Sequence, residues 1–164
     1  MAVDMFLKLE TVDGESLDDA HKKEIDVLSW EFGAEQTGTA HLGGGSGGGR
    51  VEIQDVVVRK RSDRSSPILF SLCCKGDHIS KAELTVRKAG GTPLEYLKVR
   101  LAKVLVTGYS TGGADRDDQL IETVRLNFAK ARVEYTPQKD DGSGAPSVNK
   151  GWDIEANKVW DSGD

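Results

Sequence analysis

Apolar and polar residues alternate with a period of two along most of this chain, and that limits the fold more than any other feature. Val3, Met5, Leu7 and Leu9 share one face of an extended segment, with Asp4, Lys8 and Glu10 opposite. This is the pattern of a strand buried on one side. Phe6 is the exception, an aromatic ring on the polar side. The pattern returns where Ala82, Leu84 and Val86 alternate with Lys81, Glu83, Thr85 and Arg87. It returns again in a long run from Leu94 to Tyr109, where Leu97, Val99 and Leu101 oppose Tyr96, Lys98 and Arg100.

Three segments change phase partway. In a strand expected over about Ile25–Gly33, Ile25 and Val27 are in one phase, and Leu28, Trp30 and Phe32 in the other. Val51 and Ile53 precede Val56 and Val58 in a strand expected from Val51 to about Lys60. Val124, Leu126 and Phe128 precede Ala131, Val133 and Tyr135 in a run from Leu120 to Tyr135. A phase change implies a bulge, or a strand covered on both faces. The polar stretch STGGADRDD between two long runs predicts a hairpin. VDGES and AGG predict turns, PQKDDGSGAPSVNKG predicts a mobile loop, and a last strand is expected to carry Trp152, Ile154 and Ala156.

One segment, SSPILFSLCCKG, predicts a helix. Ser66 suits the N-cap, Pro67 the first helical position, and Gly76 the C-terminal stop, with Lys75 favourable in the last turn. Leu69, Leu72 and Cys73 supply an i, i+3, i+4 stripe. The helix is short and apolar on most sides, so it is expected to be plugged into the body of the domain. Seven to nine strands and one helix predict a mainly β fold: an antiparallel β-barrel or two-sheet domain with one short α-helix. The 164 residues suit one domain over 1–164, with enough chain for a core.

Charge and motifs narrow the function. A net charge of -5 argues against a dedicated nucleic-acid binder. Asp4 and Lys8 interrupt the first apolar run, so neither a signal peptide nor a membrane span is expected there, and no stretch approaches the ~20 apolar residues of a span. Cys73 and Cys74 are adjacent and read as free thiols of a reducing cytosol, since a reactive pair would want a CxxC spacing. His21, His41 and His78 lie on different segments without metal-ligand spacing. The pairs Asp18–Asp19, Asp117–Asp118 and Asp140–Asp141 read as solvated turns, and RKRSDR, Arg59 to Arg64, as a solvated loop before the helix. No GxSxG is present. Neither a cofactor nor a metal nor an enzymatic site is expected.

The stretch AHLGGGSGGGR, Ala40 to Arg50, is not a phosphate loop. Arg50 and Val51 stand where GxxxxGK would need a Lys and a Ser or Thr, and a strand follows instead of a helix N-terminus. A linker fits poorly, because the flanking strands look like members of one sheet system. Two readings stay open: an extended arm ordered by a partner, or a hairpin tip that touches nothing.

Taken together, AVDMFLKLETVDGES, HKKEIDVLSWEFG, the glycine loop after His41, VEIQDVVVRK, the SSP-led helix ending KGDHI, KAELTVRKAGG, EYLKVRLAKVLVTGYSTGG, ETVRLNFAKARVEYTPQ and GWDI resemble the Hcp family, the haemolysin-coregulated tube proteins of bacterial type VI secretion. The resemblance runs essentially end to end, with departures expected in the DRDD loop and after Trp160, and without an added toxin domain. It implies a phage tail-tube-like fold and a homo-hexameric ring. Rings would stack into a tube inside a sheath, capped by a spike protein, with effector proteins held in the lumen. It implies a cytoplasmic protein secreted without a signal peptide, with no nucleic-acid partner and no membrane insertion. By resemblance, the loop of Thr39, Ala40, His41, Leu42, Gly43, Gly44, Gly45, Ser46 and Arg50 contacts the adjoining ring or subunit, and Glu31 is the candidate for cargo contact in the lumen. Different neighbours on the two faces of its sheets would give the phase changes a reason. The alternatives are a monomeric β-sandwich binding module for sugar or peptide, separated by oligomeric state, and an enzyme with an unrecognised site.

Overall fold

The computed structural model describes residues 2–38 and 49–163. Among them the chain forms β1 (Val3–Leu9), β2 (Ile25–Glu31), β3 (Ala34–Glu35), β4 (Glu52–Ile53), β5 (Val56–Arg61), α1 (Ser66–Lys75), β6 (His78–Lys88), β7 (Leu94–Gly112), β8 (Ile121–Asn127), β9 (Lys130–Tyr135), β10 (Val148–Asp153) and β11 (Lys158–Val159). Every strand pairing is antiparallel. Strands β7, β6, β1, β2, β5 and β8 follow one another, and a β7–β8 pairing closes them into a six-stranded barrel. Strands β9, β10 and β11 extend the sheet from β7, and β3 with β4 makes a separate two-stranded ladder.

The alternating positions fill the barrel. Leu7, Ile25, Val58, Leu84, Val99, Val104, Val124 and Leu126 are each at most 2% exposed. Burying one such side chain contributes roughly 1.5–3 kcal/mol relative to exposure, more than an exposed ion pair supplies. The inward residues therefore decide the register.

Each phase change coincides with a bulge or a change of pairing partner within the chain. In β2 the pairing passes from Val27↔Lys60 to Ser29↔Arg59, so Leu28 is the extra residue of a bulge. The expected Val51–Lys60 strand is two strands in different sheets: Ile53 pairs with Ala34 on the ladder, and Val56 with Leu126 in the barrel. The expected Leu120–Tyr135 run also divides. β8 pairs with the second half of β7, from Leu105 on, and β9 with the first half, up to Ala102. Lys103 stands at that change of partner with φ 52°. The β7–β8 hairpin is as expected.

Other expectations change. The helix has Ser65 at its N-cap, one residue before the expected Ser66, and it ends at Gly76 with φ 71° as expected. Leu69 is fully buried, with Leu72 and Cys73 packed on the core. Ile68 and Phe70 are 41% and 57% exposed. The helix therefore lies on the barrel through one stripe and is not plugged into it, with Ile68 and Phe70 turned away from the core. Residues 136–147 form a loop bonded to itself, through Lys139 N–H to Ser143 O (2.8 Å) and Ala145 N–H to Pro137 O (2.7 Å). β10 already begins at Val148, and it ends at Asp153, before the expected Ile154 and Ala156.

Candidate functional site

The ladder of β3 and β4 is the base of the glycine-rich excursion, with Ala34 opposite Ile53 and Glu35 opposite Glu52. Arg50 donates from Nη2 to the Ile154 carbonyl at 3.3 Å, which ties the excursion to the turn after β10. A Cβ at Gly49 would collide with the Thr37 hydroxyl, so the two legs approach too closely for a side chain there. A cleft between this base and β10 is lined by Ala34, Val51, Ile53 and Trp152. Of the residues expected to touch a neighbouring ring, Arg50 is described; Thr39, Ala40, His41, Leu42, Gly43, Gly44, Gly45 and Ser46 lie outside the described residues.

The barrel has two outer faces of different character. The first is formed by β1, β6, the start of β7, and β9. Arg100 donates from Nε to Glu83 (2.9 Å) and from Nη1 to Glu134 (3.0 Å). Arg87 reaches Asp4 (2.9 Å) and Asp18 (2.6 Å). Glu95 meets His21 Nε2 (2.7 Å) and Lys98 (2.9 Å), and His21 Nδ1 meets Glu24 (2.8 Å). The segment carrying Asp18 and His21 folds over this sheet. Gly14 lets it turn back, since a Cβ there would sit 2.5 Å from the Glu24 carbonyl oxygen. The His21 ring stacks on Phe6 at 4.2 Å, and Arg87 lies 5.1 Å from the Phe6 centroid. Phe6, apolar on the polar side, is thereby 4% exposed. Asp18 is not the solvated turn residue expected: its hydrogen bond from Arg87 holds the carboxyl down at about 2.

The second outer face is formed by β2, β5, β8 and the end of β7. Glu31, Val57, Arg125 and Gly108 make one cross-strand row, and Ser29, Arg59, Thr123 and Ser110 the next. Glu31 is exposed on this face. Arg59 and Arg125 are exposed, and neither makes an ion pair with a described carboxylate. Arg125 lies along the sheet over Gly108, where a Cβ would meet its Cδ, Cγ and Cβ at 3.0, 3.2 and 3.3 Å.

The run Arg59–Arg61 is thus part of β5 and not a solvated loop. The alternation Val56, Val58, Lys60 continues inward, and Lys60 is fully buried. Its Nζ donates to Glu122 (2.9 Å), Asp63 (2.9 Å) and Ser66 (3.2 Å). Glu122 also accepts from Tyr109 Oη (2.6 Å) and Ser62 (2.8 Å). Burial works to raise the Glu122 carboxyl, but the bonds from Tyr109, Lys60, Ser62 and Ser66 outweigh it and leave it below its ordinary value. Burial, then the hydrogen bond donated to Glu122 and that carboxylate's charge, push the Tyr109 hydroxyl up to about 12. Sequence reading missed this pair, although Lys60 and Glu122 each occupy an inward phase of an otherwise apolar strand.

Cys73 and Cys74 are free thiols. Among the described residues no group of His, Cys, Asp and Glu is arranged to hold a metal ion, and no helix is long and apolar enough to cross a membrane.

Residues 6–135 match the family model described as "Type VI secretion system effector, Hcp". Protein hcp1 of Pseudomonas aeruginosa is 50% identical over 160 residues, covering 96% of this chain and 98% of that protein. The crystal structure of Hcp1 from Salmonella typhimurium is 38% identical, with a TM-score of 0.79, over 98% of this chain and 100% of the other. A structure titled as that of a type six secretion system protein superposes with a TM-score of 0.91 at 30% identity, over 97% and 100%.

Proposed function

The chain belongs to the Hcp family of type VI secretion proteins, and we propose that within that system it is the repeating subunit of the inner tube. Subunits join head to tail into a hexameric ring, and rings stack along an axis. A heterologous contact that closes gives the ring, and one that does not close gives the filament. Effector proteins travel in the lumen, the sheath surrounds the tube and a spike protein caps it. The protein is cytoplasmic before assembly and leaves by type VI secretion. Its role is structural, without catalysis.

The observation that carries this reading is agreement with Hcp proteins over nearly the whole chain, in sequence and in backbone. The molecule offers what such a subunit needs. A closed barrel removes the strand edges of a wall, and the β3–β4 ladder at the base of the excursion is a sheet separate from the barrel. The excursion is the contact arm to the adjoining ring or subunit, and Glu31 belongs to the cargo wall.

Native mass spectrometry of the purified protein, with negative-stain images of the same sample, tests the proposal. Hexamers seen as open rings are expected; a monomer at every concentration overturns it and leaves a binding module. Replacing His41 and Leu42 together by Glu is expected to weaken stacking with the fold intact, and unchanged crosslinked tubes would remove the arm's role. Glu31→Arg is expected to change cargo retention in a pull-down, and unaltered retention would remove Glu31 from the wall.

A further inference from the structure

The outer face of β2, β5 and β8 has charges that the chain itself leaves unanswered. Arg59 and Arg125 stand on its two central strands, on adjacent rows: Arg59 opposes Thr123, and Arg125 opposes Val57. They are diagonal neighbours, about 7–8 Å apart by strand geometry, a spacing that two carboxylates of one peptide segment can meet together. Arg125 is held along the sheet over Gly108, so part of its side chain is ordered before any partner arrives. Around them are Ser29, Thr123 and Ser110, small side chains that keep the face flat and open to backbone-close approach.

The carboxylates of this face lie to its sides. Asp55 accepts from Thr107 (2.6 Å) and Asn127 (2.8 Å), Asp26 is on β2, and Glu31, opposite Val57, is a diagonal neighbour of Arg59 without an ion pair to it. Arg61 continues the column, with its Nε on the Gln119 amide oxygen. The opposite face, by contrast, has Arg87 and Arg100 each bonded to two carboxylates. In a chain of net charge -5, exposed guanidinium groups without a carboxylate partner on a flat sheet are an interaction surface for carboxylates, which arginine binds in a planar fork.

We infer that the β2–β5–β8 face is a docking surface for an acidic segment of another protein, held by Arg59 and Arg125; that this protein is transported cargo rests on the tube reading above. The contact is electrostatic and open to solvent. It is therefore salt-sensitive and fast to form, and discriminates by charge more than by shape. Glu31 at the margin disfavours a segment whose acidic run extends towards β2.

A fluorescein-labelled deca-glutamate peptide is the probe, titrated against the purified full chain by fluorescence anisotropy at low and at 0.3 M salt. Binding is expected at low salt, weakening about tenfold or more at high salt. The pair Arg59→Gln with Arg125→Gln is expected to lose about tenfold or more in affinity, while Arg64→Gln, outside this face, keeps it. Circular dichroism melts establish that each variant is folded, and single Arg125→Lys substitution gives a milder second variant. No binding by the natural protein overturns the inference, as does equal binding by the double variant. Tighter binding of a ten-nucleotide oligo-thymidylate at the same residues also overturns it, since the partner would then be a nucleic acid. Native mass spectrometry on the same samples separates the two ideas: a monomer that still needs Arg59 and Arg125 for deca-glutamate defeats the tube reading alone, and a ring indifferent to deca-glutamate defeats this inference alone.

Discussion

The outer face of β1, β6 and β9 answers its charges within the chain, while the outer face of β2, β5 and β8 leaves Arg59 and Arg125 without a described carboxylate partner. Both are faces of one antiparallel barrel, with the same alternation in sequence. On the first, a folded-over segment brings Asp18 and His21 onto the sheet and covers Phe6. On the second, nothing in the described chain lies over the arginines, and the order of the wall comes from its inner side, where Lys60 and Glu122 are buried together. A charge completed by its own chain contributes to the fold, and a charge left open is available to a partner.

The comparison breaks most severely beneath the second face. Glu122→Leu leaves the Lys60 ammonium buried without its main carboxylate. Removing one member of such a pair costs about 3–5 kcal/mol, so denaturant unfolding should show a large loss or no folded protein. Lys60→Met with Glu122→Leu should recover much of that loss, and a double variant no better than the single would mean that the pair is not one unit.

Next, Arg87→Ala on the completed face releases two carboxylates and uncovers Phe6. An expected cost of about 1–2 kcal/mol, already reduced for partial exposure, should appear as a lower thermal midpoint. Arg125→Ala on the open face should change stability by less than about 0.5 kcal/mol. Equal costs for Arg87→Ala and Arg125→Ala would erase the distinction between the faces.

Acidity should act on the completed groups. Asp18 and Glu122 have folded carboxyls below their ordinary values, so the unfolded chain takes up protons first as pH falls. Their contribution is present above about pH 4 and is lost as pH falls towards the folded value, about 2 for Asp18. Tyr109, raised to about 12, works at the other end: its contribution is whole below about pH 10 and lost as pH rises towards 12. Melting midpoints across these two windows check both signs. The smallest effect is Gly108→Ala, which should displace the Arg125 side chain with little change in stability and a measurable change in deca-glutamate affinity.

Much of the fold was legible in local pattern. Val3, Met5, Leu7 and Leu9 announced β1, and the Gly76 stop and the Leu69, Leu72, Cys73 stripe placed α1. The bulge in β2 was visible as the phase change between Val27 and Leu28. The role of RKRSDR was not legible, because three basic residues in a row look alike in sequence whether solvated or not. The register with β8 decides that Lys60 points inward at Glu122 and that Arg59 points out. His21 likewise looked isolated, because Glu95, the partner of its Nε2, is 74 residues away.

By itself the sequence determined that this is a mainly antiparallel β domain with one helix, because alternation and capping act over a few neighbouring residues. It also carried the family, because that rests on the order of many segments. Only the tertiary structure decided how the strands close, which runs divide between partners, and which charges are answered, because those depend on pairings between distant residues. β7 changes from β9 to β8 at Lys103, and β8 pairs on its other edge with β5, Glu122 opposite Lys60; no short window of sequence contains both β5 and β8.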